Sequence, residues 1–232
     1  MTFFRDLRYG ARSLLKAPGL MLVATLALSF GIGLTATMWS IIYGAMIKGL
    51  PFDEPSQIVA LNRTNPTLNG RNRQGVTLHD FVDWKKDNTT FASMAAHTCG
   101  TINVTGTDKA ERYDGCWVTQ GSLEITRVQP ILGRYFTTDE TSPNTPRTAI
   151  IGYRVWQDRF SSDRGVVGKV IRVNGQPHTV VGVMPEGFLY PQDTKIWVAY
   201  QADVHATTRA LSPNLQVVGR MKAGVTIEAA KA

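Results

Sequence analysis

The pattern of apolar and polar positions divides the chain into two unequal parts. Between Lys16 and Lys48 lie 31 consecutive residues, Ala17 to Ile47, without a formal charge. As a helix rising ~1.5 Å per residue, that run covers roughly 45 Å, more than the ~30 Å hydrocarbon layer of a bilayer. It predicts a transmembrane helix with its interfacial ends. A secretory signal peptide is the competing reading, but its apolar part would be about 7 to 15 residues with a small-residue cleavage site behind it. The one weak site of that kind, Thr35-Ala36-Thr37, falls in mid-run.

Beyond the run the pattern breaks into short segments. "LPFDEPSQ" is an exit linker, "IVALNR" at 58–63 a strand, and 64–75 a polar loop. "TLHDFVDWKKDN" predicts a helix with Thr77 as N-cap, Asp80 three residues on, and Leu78, Phe81 and Val82 at helical spacing. After a break that helix is expected to continue into "FASMAA". Two strand-like stretches follow around the turn Gly106-Thr107-Asp108-Lys109, then a short helical stretch in "GSLEITRV" and an extended "PILGRYF". After the loop 137–146 come a strand, "RTAIIG", and a helix, "YRVWQDRF", with Tyr153, Trp156 and Phe160 on one face. "VIRVNGQPHTVVGVM" is a hairpin, since Asn174-Gly175 favours a type I′ turn between β-branched runs. Pro177 demotes its own strand to an edge or an irregular pairing there. "KIWVAY" and "LQVVGRM" are further strands, and Thr226 caps the opening of a helix. The fold class is α+β: one N-terminal transmembrane helix, then a mixed domain, cut short at its C-terminal helix. Such an ending predicts a fragment or a truncated product of a larger protein.

Inside the apolar run, "SFGIGLTATMW" places Gly31, Gly33 and Ala36 at the G-x-G-x-x-G/A spacing of a dinucleotide-binding turn. That turn needs a preceding strand and an acidic residue about 20 positions on in a soluble βαβ unit. Here no strand precedes it, and Glu54, near the right distance, sits in the exit linker. Ser29, Gly33 and Thr37, with Gly31 and Thr35 close by, read instead as a face that lets another membrane helix approach.

Charge sets the orientation. The net charge is +7, of which Arg5, Arg8, Arg12 and Lys16 against Asp6 place +3 in the first 16 residues. Only Lys48, accompanied by Asp53 and Glu54, closely follows the span. The positive-inside bias puts the N-terminus in the cytoplasm and residues after about 48 outside. "FFRDLRYGARSLLK" reads as an amphipathic helix on the inner surface. Trp39 and Tyr43 fit the headgroup level and fit ordinary packing equally well. The rest of the chain is nearly balanced, and "NGRNRQ" at 69–74 is its one basic patch, without stacking aromatics. Nucleic acid is therefore not an expected partner.

An external location changes how the two cysteines are read. If Thr105 faces Ala110 across the turn at 106–109, the same register places Cys99 opposite Cys116. A cross-strand disulfide in an oxidising compartment is one reading, and two separate buried thiols the other. Catalytic chemistry is sparse. His79, His97, His178 and His205 are scattered without metal-ligand spacing, and the cysteines form no C-x-x-C pair. No G-x-S-x-G elbow, H-E-x-x-H helix or phosphate loop occurs in the sequence. Asp80 and Asp83 share a helix face beside Lys85 and Lys86, and read as a solvated face. No catalytic, cofactor or metal residue is assigned, and any energy source must come from another polypeptide.

Taken in order, several motifs carry a family resemblance. They are "DLRYGARSLLKAPG", "ALSFGIGLTATMWSIIYGAMIKGLPF", "LHDFVDWKKDNTTFASMAA", "PILGRYF", "VWQDRFSSDRGVVGKVIRVNGQPHTVVGVMPEGFLYP" and "VVGRMKAGVTIEAAKA". Together they resemble the N-terminal part of ABC-transporter permeases of the MacB/FtsX superfamily, most closely the acidobacterial-type permeases. The resemblance implies a cytoplasmic segment 1–17, a transmembrane helix 18–47 and a MacB-like periplasmic core domain 48–232. Within that domain, 50–140 would be the first porter-like part, 141–212 an inserted β-rich subdomain and 213–232 the start of the return into the porter-like part. It further implies an inner-membrane protein, a separate ABC ATPase subunit, a permease partner as homo- or heterodimer, and mechanotransmission that exports or extracts a substrate. Nothing in the sequence distinguishes a drug, a peptide or a lipid. A membrane-anchored regulatory module controlling a cell-wall hydrolase is the alternative. One departure is local: family members carry a Leu-Gly turn where this chain has Thr126-Arg127.

Overall fold

The computed structural model describes residues 18–42, 53–64, 73–106, 110–201 and 203–227. The amphipathic segment 1–17, Tyr43, the turn residues 107–109, most of the basic patch at 69–74 and the helix expected beyond residue 227 lie outside them. Two units are distinguished, residues 1–50 and 51–232.

In the first unit, helix α1 (Pro18–Ile42) starts at a proline, whose missing N–H would have had no partner in a first helical turn. From Met21 to Ser40 the mean hydropathy is 1.8, long and apolar enough to cross a membrane. Leu28, Phe30 and Leu34 are 68%, 69% and 69% exposed among the described residues. Thr25, Thr35 and Thr37 each donate to the carbonyl four residues earlier, at 2.7 to 2.8 Å, which saturates three hydroxyls within the helix.

The second unit is built on strands β1 (Ile58–Leu61), β2 (Arg63–Thr64), β3 (Arg73–Gln74), β4 (Val76–Thr77), β5 (Phe91–Thr105) and β6 (Glu111–Val118), followed by β7 (Leu132–Gly133), β8 (Thr148–Ile151), β9 (Val170–Val173), β10 (Gln176–Val183), β11 (Ile196–Ala199) and β12 (Asn214–Met221). β2 and β3 form a ladder of their own. The others make one mixed sheet in the order β1-β12-β5-β6-β11-β8-β10-β7, with β4 on β12. β9 pairs both with β10 and with the far end of β5, at Val104 and Thr105. That second pairing closes a ring of six strands, β5-β6-β11-β8-β10-β9, and leaves no open edge within it. The face these strands share gathers Ile102, Val104, Ile151, Val173, Val180 and Ile196, and helix α3 (Tyr153–Phe160) adds Val155 to it. The opposite face packs Trp197, fully buried, against Phe188 and Met184, and the indole N–H donates to the Tyr190 carbonyl at 2.8 Å.

β5 joins the two halves of this unit. Its first residues pair with β12, from Phe91 opposite Met221 to His97 opposite Gln216. Its later residues pair with β6, from His97 opposite Val118 to Val104 opposite Glu111. Helix α2 (Leu78–Asp87) covers the β12 end with Leu78 and Phe81, as the helical spacing predicts. The Thr77 hydroxyl caps it by accepting from the Asp80 amide at 3.2 Å.

Two expectations about these elements need correction. "FASMAA" is the start of β5 rather than helix. Asn88 stops α2, its side chain bonding both the N–H and the C=O of Phe91, and Ala95 and Ala96 are then fully buried between strands. Tertiary burial overrides the helix propensity of alanine and methionine there. Val82 lies off the buried stripe at 41% exposed, and Trp84 takes its place against the core. In α3, Trp156 and Phe160 pack on the core beside the most buried residue, Val155, and Tyr153 meets Trp156 edge-on with ring centroids 5.6 Å apart, in keeping with the expected aromatic face. The Asn174-Gly175 turn has both residues at positive φ, 49° and 80°, as type I′ requires. Pro177 pairs only with β9, because β8 joins β10 from Thr179 onward.

Candidate functional site

The most elaborate polar constellation lies where the chain enters the sheet, at Asp53 and Glu54, and sequence reasoning did not single it out. Two arginines converge on this dipeptide. Arg220 stands on β12 between Ile58 of β1 and Ser93 of β5, so its side chain rises from the interior of the sheet and is only 5% exposed. Its Nε and Nη2 donate to the Ile125 carbonyl at 2.9 and 2.7 Å, and Nη2 also donates to the Asp53 carbonyl at 2.8 Å. Nη1 reaches the Glu54 carbonyl at 3.5 Å. Burial, and then the neighbouring Arg127 charge, pull the Arg220 pKa below the ordinary arginine value. The nearest carboxylate oxygen, on Glu54, is 3.9 Å from Nη1.

Arg127 closes the other side. It ends the single helical turn Glu124–Thr126 with φ 59° and ψ 12°, the left-handed region that glycine enters freely and a side chain enters at a cost. This is where the family resemblance expects a Leu-Gly turn, so the residue differs and the backbone conformation is one glycine favours. The Arg127 guanidinium donates to Asp53 Oδ2 at 2.5 Å and to Glu54 Oε2 at 2.9 Å, contacts that raise its pKa. Glu54 is itself left-handed, with φ 49°. Beside the arginines opens a cleft of about 390 Å³, lined by Lys85, Met94, Gln120 and Glu124 among others. Burial pushes the Glu124 carboxyl upward against the pull of nearby backbone amides and Lys85.

The residues singled out from sequence lie elsewhere. Cys99 and Cys116 face each other across β5 and β6, with Cα atoms 4.0 Å apart and sulfurs 1.98 Å apart. Thr119 N–H donates to the Ala96 carbonyl three residues away in register, which makes 99/116 a non-hydrogen-bonded pair, the closer of the two kinds in an antiparallel ladder. Ser29, Gly33 and Thr37 lie exposed along α1, and a Cβ added at Gly33 would meet nothing within 4 Å. Asp80 and Asp83 are not simply a solvated face: Asp80 is 13% exposed and pairs with Arg63 and Arg209, while Asp83 pairs with Arg209 at 2.6 Å. Burial raises the Asp80 pKa, but the Thr77 hydroxyl and the two arginines outweigh it and hold the group below the usual carboxylate value.

The four histidines sit on α2, β5, β10 and an exposed turn at 205. His97 is buried, bonded through Nε2 to Gln216 at 3.0 Å, and burial lowers its pKa to about 4. His178 is also lowered by burial, with Nδ1 2.9 Å from the Gln176 carbonyl. Among the described residues no group of three or more His, Cys, Asp or Glu could hold a metal ion.

The described residues comprise an apolar helix and, after it in sequence, a mixed sheet with its packed helices, and the comparisons with known proteins agree with that arrangement. The model of the MacB-like periplasmic core domain family matches residues 21–232. No curated protein sequence matches the chain. The structure is similar to the periplasmic region of MacB from Actinobacillus actinomycetemcomitans, with a TM-score of 0.56 and 13% identity over 75% of this chain and 78% of that one. It is likewise similar to the extracellular domain of the noncanonic ABC-type transporter YknZ from Gram-positive bacteria, with a TM-score of 0.54 and 16% identity over 74% of this chain and 87% of that one. At these identities the likeness speaks for the fold.

Proposed function

The chain belongs to the MacB-like periplasmic core domain family, and from that premise we propose that it is the N-terminal portion of an ABC transporter permease subunit. One observation carries the reading: a single family match takes in both the apolar helix, from residue 21, and the sheet that follows. In this reading α1 spans the inner membrane, residues 1–17 are cytoplasmic, and the domain after about residue 48 is periplasmic. Residues 50–140 and 213–232 belong to the porter-like half and 141–212 to the inserted β-rich part, with β5 and β6 shared into the six-stranded ring. An oxidising periplasm suits a bonded Cys99–Cys116 pair.

The role of the chain is mechanical. A separate ATPase subunit hydrolyses ATP in the cytoplasm, the membrane helices of the permease shift, and the periplasmic domain moves against its partner to export or extract a substrate. The Ser29, Gly33 and Thr37 face supplies the contact with another membrane helix, from a second copy or a related permease.

Purification of the full chain from membranes tests this. Recovery of an ATPase subunit whose ATP turnover depends on the chain supports it. Recovery of a cell-wall hydrolase with no ATPase would overturn it in favour of the regulatory module.

A further inference from the structure

We infer that Arg127 and Arg220 are positioning residues that grip Asp53 and Glu54, making this dipeptide the point at which displacement of the membrane helix enters the sheet. The inference rests on the permease reading. Its first ground is place in the chain: after α1 and residues 43–52, Asp53 and Glu54 precede β1, so a pull arriving along the backbone reaches them before any described strand.

The second ground is where the grip is rooted. β1 has four residues and lies at the edge of the sheet order, paired among the described residues with β12 alone. A pull on its leading end would open that ladder one bond at a time from Ile58. Arg220 takes the load upstream of Ile58, through the Asp53 carbonyl, and carries it to β12, which is paired on both sides. The same guanidinium holds Ile125, so the turn that presents Arg127 is fixed to the same strand. Arg127 then adds contacts to both carboxylates. Two segments far apart in sequence therefore hold one dipeptide, by its backbone and by its side chains.

The third ground is conformational. Glu54 and Arg127 are both non-glycine residues in the left-handed region, and they bond to each other. Such residues persist where their surroundings over-determine them, and they cluster at sites of function. Arginine suits the inner position because its planar fork reaches Ile125, Asp53 and Glu54 at once, which a lysine ammonium would not do in a fixed geometry.

The test uses the full chain reconstituted in nanodiscs with the ATPase subunit recovered with it, followed by hydrogen exchange with and without ATP. Arg127→Gly keeps a backbone compatible with the turn while removing both contacts to Asp53 and Glu54. We expect exchange of the Gln57 amide, which donates to the Glu54 carbonyl at 3.1 Å, to rise about 2- to 5-fold, the range of an exposed ion pair, with β8 and β10 unchanged. We further expect wild type to show an ATP-driven change of exchange in β12, and Arg127→Gly to lose it while ATP turnover continues. Arg220→Met should lose the same change; if that variant does not fold, Arg127→Gly decides alone. An ATP-driven change in β12 that survives Arg127→Gly overturns the grip and leaves the permease reading standing. Absence of the change in wild type, with the ATPase bound and turning over, overturns the grip alone, whereas failure to recover an ATPase whose turnover depends on the chain overturns the permease reading and the grip with it.

Discussion

Gly133 shows how tightly single residues can be constrained here. It has φ +72°, and a Cβ added to it would lie 2.1 Å from the Val181 carbonyl oxygen. Gly133→Ala meets both a backbone penalty and a clash with a strand that cannot yield without moving β10, so a loss of at least about 2 kcal/mol is expected, read as a shifted urea midpoint. His97 gives a pH dependence. Its folded pKa, about 4, lies below the ordinary histidine value of 6.5, so the unfolded chain binds more protons between those values. Stability from this group is complete above about pH 6.5 and falls as pH drops towards 4, by up to roughly 3 kcal/mol. His178 is lowered in the same direction, so His97→Asn should flatten most but not all of the slope between pH 7 and pH 4.5. Only part of this was legible in the sequence. Asn174-Gly175 announces its turn because the chemistry is local. Arg127 is marked only as a departure from a Leu-Gly turn and Arg220 not at all, since their partners Asp53 and Glu54 lie 73 to 167 positions away.

Among the elements, strands were readable where residue type and burial agree, as in "RTAIIG" and "KIWVAY", which became β8 and β11 with all four residues of each buried. "FASMAA" was misread because its small residues suit a helix locally, and only pairing with β12 and β6 makes them a strand. The register of β5 on β6, in contrast, follows from the position of its turn. Closing a loop with a sequence separation of 17 is worth about 3 kcal/mol in the chain-entropy model, so reduction of Cys99–Cys116 should lower Tm by roughly 6 to 12 °C. Mass mapping with and without reductant checks the bond itself, and two free thiols in the exported protein would remove the basis for that shift. In α1, where Gly33 has open space around it, Gly33→Leu should leave membrane insertion unchanged and reduce recovery of a permease partner. Equal recovery would identify that surface as ordinary lipid contact.

At the scale of the molecule, the sequence conveyed the division into an apolar helix and an α+β domain, because charge and hydropathy change abruptly near Lys48. It did not convey the ring, whose last pairing rests on Val104 and Thr105 meeting Val173 and Arg172. Such contacts depend on the path of the whole chain and leave no local trace. The long β5 has a further consequence. At ~3.4 Å per residue its 15 residues reach roughly 50 Å, passing without interruption from the sheet under α2 into the ring. The two regions thus share a backbone ladder rather than a hinge. Neither can melt without fraying the other's central strand, so heat should meet the whole sheet domain as one cooperative unit.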